Sequence, residues 1–119
     1  MQPCRINDTR NINSAFGGPG MDPDTSRDYN LSSSACGIPT AANAYMLNAT
    51  IVPPGVFGFL TLWPGGLARP TVSTLNAVDG AITSNAAILP VGSDGQIRTY
   101  KSSSTHLLLD ISGFFAPAP

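Results

Sequence analysis

Apolar and polar residues alternate with a period of two along much of this 119-residue chain, and the alternation stops wherever Gly, Pro, Asn or Asp cluster. That pattern predicts β-strands joined by turns. The longest apolar stretch, 44–64, organises the rest: AYMLNATIV, a Pro53-Pro54-Gly55 turn, then VFGFLTLWP. In its first half Tyr45, Leu47, Ala49 and Ile51 share one face, and Met46, Asn48, Thr50 and Val52 share the other. The first of these faces predicts core. In the second half Phe57, Phe59, Thr61 and Trp63 are expected on one face, with Leu60 and Leu62 opposite. Both faces are apolar there, so the strand is expected to be covered on both sides or to pair with another subunit. The two halves together read as a hairpin.

Shorter strands are expected at 4–10, 25–31, 69–77 (anchored by Val72 and Leu75), 82–91, 96–101 and 105–115, where Leu107, Leu109 and Ile111 share a face. Gly17-Gly18-Pro19-Gly20, Asp22-Pro23-Asp24, Gly37-Ile38-Pro39, Asp79-Gly80 and Ser93-Asp94-Gly95 are the turn signals between them, the last two of hairpin type. About eight strands with such spacing predict an all-β fold, a two-sheet antiparallel sandwich of jelly-roll type. Residues 1–115 form one domain on this reading, and the Ala-Pro-Ala-Pro end, 116–119, begins a semi-rigid linker.

Composition sharpens the picture. Charged residues make up 11% of the chain, with no Glu and a single Lys, Lys101. Helix surfaces are normally built from those residues, so helices are not expected. A net charge of -1 and scattered Arg residues give no basic face for nucleic acid. Pro53-Pro54 interrupts the only stretch approaching membrane-span length, so no membrane insertion is expected. The start, MQPCRIND, has neither the basic nor the apolar region of a signal peptide. The chain then reads as cytoplasmic or as a domain or mature part of a longer secreted protein; the Ser/Thr/Asn-rich, Lys-poor composition favours the second. Cys4 and Cys36 permit one disulfide tying the loop-rich first third to the sandwich, with two buried thiols as the other reading.

Candidate chemistry is sparse. His106, the sole His, shares a strand face with Asp110, but four residues along a strand span roughly 13 Å, beyond hydrogen-bond reach. No Gly-x-Ser-x-Gly elbow is present. A carboxylate pair for glycoside hydrolysis has to come from Asp8, Asp79, Asp94 and Asp110. Asp79 and Asp94 precede Gly in turns, where Asp serves the backbone. Asp8 and Asp110 lie in strands and are expected to accept hydrogen bonds from Arg10, Asn48 or Thr50. Two Cys and one distant His make no soft-metal site. Calcium is the one cation the loops suggest, through Asp22, Asp24, Asp28 and Asn30, although no calcium-loop motif accompanies them. Trp63, at a strand end beside Pro64-Gly65-Gly66, either closes the core or offers its ring to a sugar.

The segments DTR (8–10), LNAT (47–50), GFLTLWP (58–64), STLN (73–76), NAA (85–87) and LDISGFF (109–115) occur in this order. Together they resemble a family of secreted bacterial domains of acidobacterial and actinobacterial surface or cell-wall-associated proteins, whose members carry DTR, LNVT, GYLTVWP, STLN and LDIxGYF. Phe59 and Phe114 depart from that pattern, standing where Tyr is usual. The resemblance implies export and a β-rich fold, and it implies no activity or catalytic residues. The expectation is therefore a non-catalytic bacterial domain, secreted or at the cell surface, that self-associates into a homo-oligomer or fibre or serves adhesion, with no cofactor. The alternative is a carbohydrate-binding module whose strand-end loops around Trp63 hold a glycan, with Asn48, Asp8 and Asp110 as further binding candidates.

Overall fold

A computed structural model describes residues 1–20, 22–71 and 73–117. Its eight strands are β1 (Cys4–Asp8), β2 (Thr25–Tyr29), β3 (Ala44–Val52), β4 (Phe57–Pro64), β5 (Leu75–Ala77), β6 (Thr83–Pro90), β7 (Ile97–Lys101) and β8 (His106–Phe115). They form two antiparallel four-stranded sheets, ordered β1-β8-β3-β6 and β2-β7-β4-β5. Among the described residues there is no α-helix, and one 3-10 turn covers Leu31–Ser33. This strand order is the jelly roll expected from the sequence.

In that topology only β4 and β5 are both consecutive and adjacent in one sheet; every other connection crosses the sandwich. The expected 44–64 hairpin is therefore corrected. Its halves are β3 and β4, which lie in opposite sheets, and Pro53-Pro54-Gly55 carries the chain across. The turns at Asp79-Gly80 and Ser93-Asp94-Gly95 likewise join strands of different sheets. At the first of them Gly80 has φ 73°, and a Cβ there would lie 2.7 Å from the Gly55 backbone. Only glycine allows both that conformation and that approach. Two crossing turns pack on each other at this point.

The core lies between the sheets. β3 contributes Tyr45, Leu47, Ala49 and Ile51, and β8 contributes Leu107, Leu109 and Ile111, as alternation predicts. In β4 alternation fails. A bulge against β5 shifts the register between Phe57 and Phe59, so Phe57 joins Leu60 and Leu62 in the core. Phe59, Thr61 and Trp63 are left on the outer face, which corrects the grouping of Phe57 with them. The 69–77 strand shrinks to Leu75–Ala77. Its expected anchor Val72 lies outside the described residues, as do Ala118 and Pro119 of the expected linker.

Cys4 and Cys36 form a disulfide with Cα atoms 5.9 Å apart and a sequence separation of 32. It ties the segment after β2 to the edge strand β1. Closing a loop of that length stabilises a fold by about 3–4 kcal/mol in the chain-entropy treatment. The bond is consistent with an oxidising, extracellular setting.

Candidate functional site

The two sheets turn very different outer faces to their surroundings. On the first sheet the register sets out three columns. Ala44, Met46, Asn48 and Thr50 of β3 lie opposite Pro90, Ile88, Ala86 and Ser84 of β6, and opposite Phe115, Gly113, Asp110 and Leu108 of β8. One end of this face is apolar and open: Met46 is 40% exposed, Ile88 64% and Phe115 48%. A shallow cavity of about 240 Å³ there is lined by Met46, Leu47, Ala86, Ala87, Ile88 and Ser112. No charged residue occurs in β3, or anywhere between Asp79 and Asp94. The edge strand β6 carries none of the Lys or Asp that blunts an edge against pairing, although Pro90 interrupts it near its end.

The other end of this face is polar. Asp8, nearly buried, accepts from the Arg10 side chain at 2.9 and 2.8 Å, from the Arg10 backbone N–H at 3.0 Å and from Arg5 at 3.4 Å. The Arg10 guanidinium is the main cause that holds the Asp8 carboxyl at about 2. Asp110 accepts from Arg5 Nε at 2.5 Å. The expected network thus exists for Asp8 with Arg10, and Arg5 joins both carboxylates. Asn48 lies opposite Asp110, but its amide reaches Thr50 Oγ1 at 3.5 Å, and Thr50 pairs with Ser84 at 2.7 Å. Among the described residues neither Asn48 nor Thr50 is hydrogen-bonded to a carboxylate, correcting that part of the expectation.

At the Trp63 end, the outer face of the second sheet is covered by its own chain. Trp63 is 6% exposed, and its indole N–H donates to the Leu67 carbonyl at 3.0 Å. Thr61 is buried beside it. Thr74 closes this segment onto β4: its N–H donates to the Leu60 carbonyl, and its hydroxyl accepts from the Leu62 N–H. Trp63 thus neither closes the core nor presents a ring to a ligand. It lies against the outside of the sheet, under the loop that follows β4. Further along, Phe59 is 36% exposed and faces Asn76 across the β4–β5 pair. Its ring sits 5.7 Å from Tyr100, and the Arg69 guanidinium stacks 3.8 Å above Tyr100. The Tyr100 hydroxyl donates to Asp24.

The remaining candidates lie at one end of the sandwich. His106 Nδ1 and Thr9 Oγ1 are 3.0 Å apart, and Thr9 Oγ1 also accepts from the Leu107 N–H at 2.9 Å. The Thr9 hydroxyl thus bridges the Leu107 backbone and the His106 ring, with the direction of the Thr9–His106 bond set by the imidazole tautomer. His106 and Asp110 are not hydrogen-bonded; each has a different partner. A nearby cavity of about 200 Å³ is lined by residues including Thr9, Asp22, Arg27, Tyr29 and Lys101. Burial lowers the Lys101 ammonium from its ordinary value and pushes the Tyr29 hydroxyl up to about 12. Arg27 is committed to the carbonyls of Ser14, Gly17 and Pro19, and Lys101 donates to Thr105 O at 3.1 Å.

The loose calcium set is dispersed. Asp24 takes the Tyr100 hydroxyl, Asp28 faces Arg98 at 3.5 Å, and Asn30 accepts from Ser32 at 2.7 Å. Among the described residues no three His, Cys, Asp or Glu side chains converge as a metal site. Sequence reading missed Arg5 as the shared partner of Asp8 and Asp110, and missed the Phe59–Tyr100–Arg69 stack. Period two does put Arg98 and Tyr100 on one face. Nothing in a single strand's pattern says that β7 lies beside β4.

No family model, no curated protein and no solved structure matches this chain.

Proposed function

We infer that this is a non-catalytic β-sandwich domain of a bacterial surface that works by associating with copies of itself. The observation that carries the reading is the open apolar end of the first sheet, where Met46, Ile88 and Phe115 stand exposed beside an uncharged edge strand. A second copy is the occupant favoured by the charge pattern. A surface with no charge of either sign meets its own image across a two-fold axis without like-charge repulsion, and an unpaired edge strand is complementary to another strand. The basis first expected for assembly, the doubly apolar strand β4, does not carry the reading, because the loop after it covers Trp63 and only Phe59 stays partly exposed on its outer side. The disulfide supports an extracellular location, in line with the export implied by the resemblance of the motif series to secreted bacterial domains.

Ile88→Lys tests the reading. Wild type is expected to sediment as a multiple of the chain mass, with association growing as concentration rises, and the variant as a monomer. A wild type that stays monomeric at millimolar concentration overturns it, as does an oligomer indifferent to Ile88→Lys and to a second variant, Met46→Lys.

A further inference from the structure

The second sheet carries a feature that self-association does not use. The exposed part of Phe59 opens onto a shallow cavity of about 170 Å³ that is also lined by Thr71, Ser73 and Asn76. An aromatic ring, two hydroxyls and a carboxamide converge there, and none of these four residues carries a charge. The register fixes the pairing: Phe59 of β4 and Asn76 of β5 are cross-strand partners on the outer face. Phe59 is braced on one side by Tyr100, itself held between Arg69 above its ring and Asp24 at its hydroxyl. A ring supported in this way resists turning aside. The side chains of Thr71, Ser73 and Asn76 make no hydrogen bond within the chain among the described residues, so their donors and acceptors face outward.

We propose that this groove binds a single neutral sugar ring of a glycan. A pyranose has an apolar C–H face and a rim of hydroxyls, and the groove offers one partner for each. The C–H face stacks on Phe59, and the rim exchanges hydrogen bonds with Asn76, Ser73 and Thr71. The cavity lies below the roughly 300–1,000 Å³ of sites for drug-sized ligands, which suits one ring with the rest of the glycan in solvent. The absence of charge among the lining residues selects a neutral sugar over a uronate or a sialylated or sulfated one. The site differs from the loops around Trp63, where the indole is already covered. It lies on the opposite sheet from Met46 and Ile88, so copies joined through the first sheet leave their grooves free and gain avidity for a polymeric glycan.

The test is a glycan array bearing neutral hexose and N-acetylhexosamine termini beside sialylated and sulfated ones, followed by NMR titration with the free monosaccharide of the best neutral spot. Binding to neutral termini is expected, with Phe59 and Asn76 resonances shifting first. Asn76→Ala and Phe59→Ala each lower affinity by about tenfold or more, Phe59→Tyr retains it, and Ile88→Lys leaves the monosaccharide titration unchanged. Asn76 is exposed, so Asn76→Ala reports on the groove even if Phe59→Ala weakens the fold. Binding to no glycan, binding confined to acidic glycans, or binding undiminished by Asn76→Ala overturns the proposal. None of these outcomes bears on the sedimentation result, so the groove and the self-association stand or fall separately.

Discussion

The outer faces of the two sheets make an instructive pair. By composition alone β4, which carries Phe57, Phe59, Leu60, Leu62 and Trp63, is the strand most in need of external cover, and β3, with Asn48 and Thr50 on its second face, is the strand most at ease in water. The folded chain reverses the practical result. The loop after β4 lies over Trp63 and takes its indole N–H, and the bulge moves Phe57 inward. β3 keeps its polar pair but leaves Met46 beside Ile88 on an uncovered surface. An apolar residue on an outer face is not by itself evidence of a partner, because the remainder of the same chain is the nearest available cover. The informative residues are those still exposed when the chain has finished folding.

Three substitutions probe that contrast. The largest effect is expected at the covered face. Trp63→Ala removes a buried indole and leaves the Leu67 carbonyl without its donor, and is expected to destabilise the fold by about 3–5 kcal/mol in urea unfolding. A loss below about 1 kcal/mol would mean that the loop does not shield β4 as described. Intrinsic fluorescence offers a second readout, since the sole Trp should shift to the red only when the domain unfolds.

A smaller effect belongs to the polar end of the first sheet. Asp8→Asn gives up charge-assisted bonds to Arg10 and Arg5 at a solvated edge, a loss of about 1–2 kcal/mol at neutral pH. The pH dependence has a definite sign. The Asp8 carboxyl is held at about 2 in the fold against a reference of 3.8, so its contribution is complete above the reference value and fades as pH falls toward 2. Thermal melts of wild type should therefore drop across that window, and those of Asp8→Asn should drop less. Equal slopes in the two proteins would remove Asp8 from the account.

The smallest effect on stability is expected at the bare apolar end. Ile88→Lys changes a residue that is 64% exposed, and the monomer should unfold within about 0.5 kcal/mol of wild type at a concentration where both are dissociated. The same change is expected to abolish self-association. Large structural loss at Trp63 with little at Ile88 is the sharpest form of the contrast between the faces. Similar losses at both positions would dissolve it.

Much of the fold was legible in the chain. The absence of Glu, the near-absence of Lys and the repeated Gly, Pro, Asn and Asp turns leave little but strands, and a strand buried on one face must alternate. Hence Tyr45, Leu47, Ala49 and Ile51, and again Leu107, Leu109 and Ile111, could be assigned to the core from spacing alone, and a strand carboxylate such as Asp8 could be expected to need a donor, with Arg10 one of three candidates. Three things required the tertiary structure. Which strands are neighbours depends on contacts far apart in sequence, so the Pro53-Pro54-Gly55 link reads locally as a hairpin although it crosses the sandwich. The face of Phe57 depends on a bulge, and one extra residue inverts a period-two pattern. Exposure depends on where loops come to rest, so Trp63 lies hidden while Met46, Ile88 and Phe59 remain open. Alternation is a property of one strand, whereas cover is a property of everything packed against it.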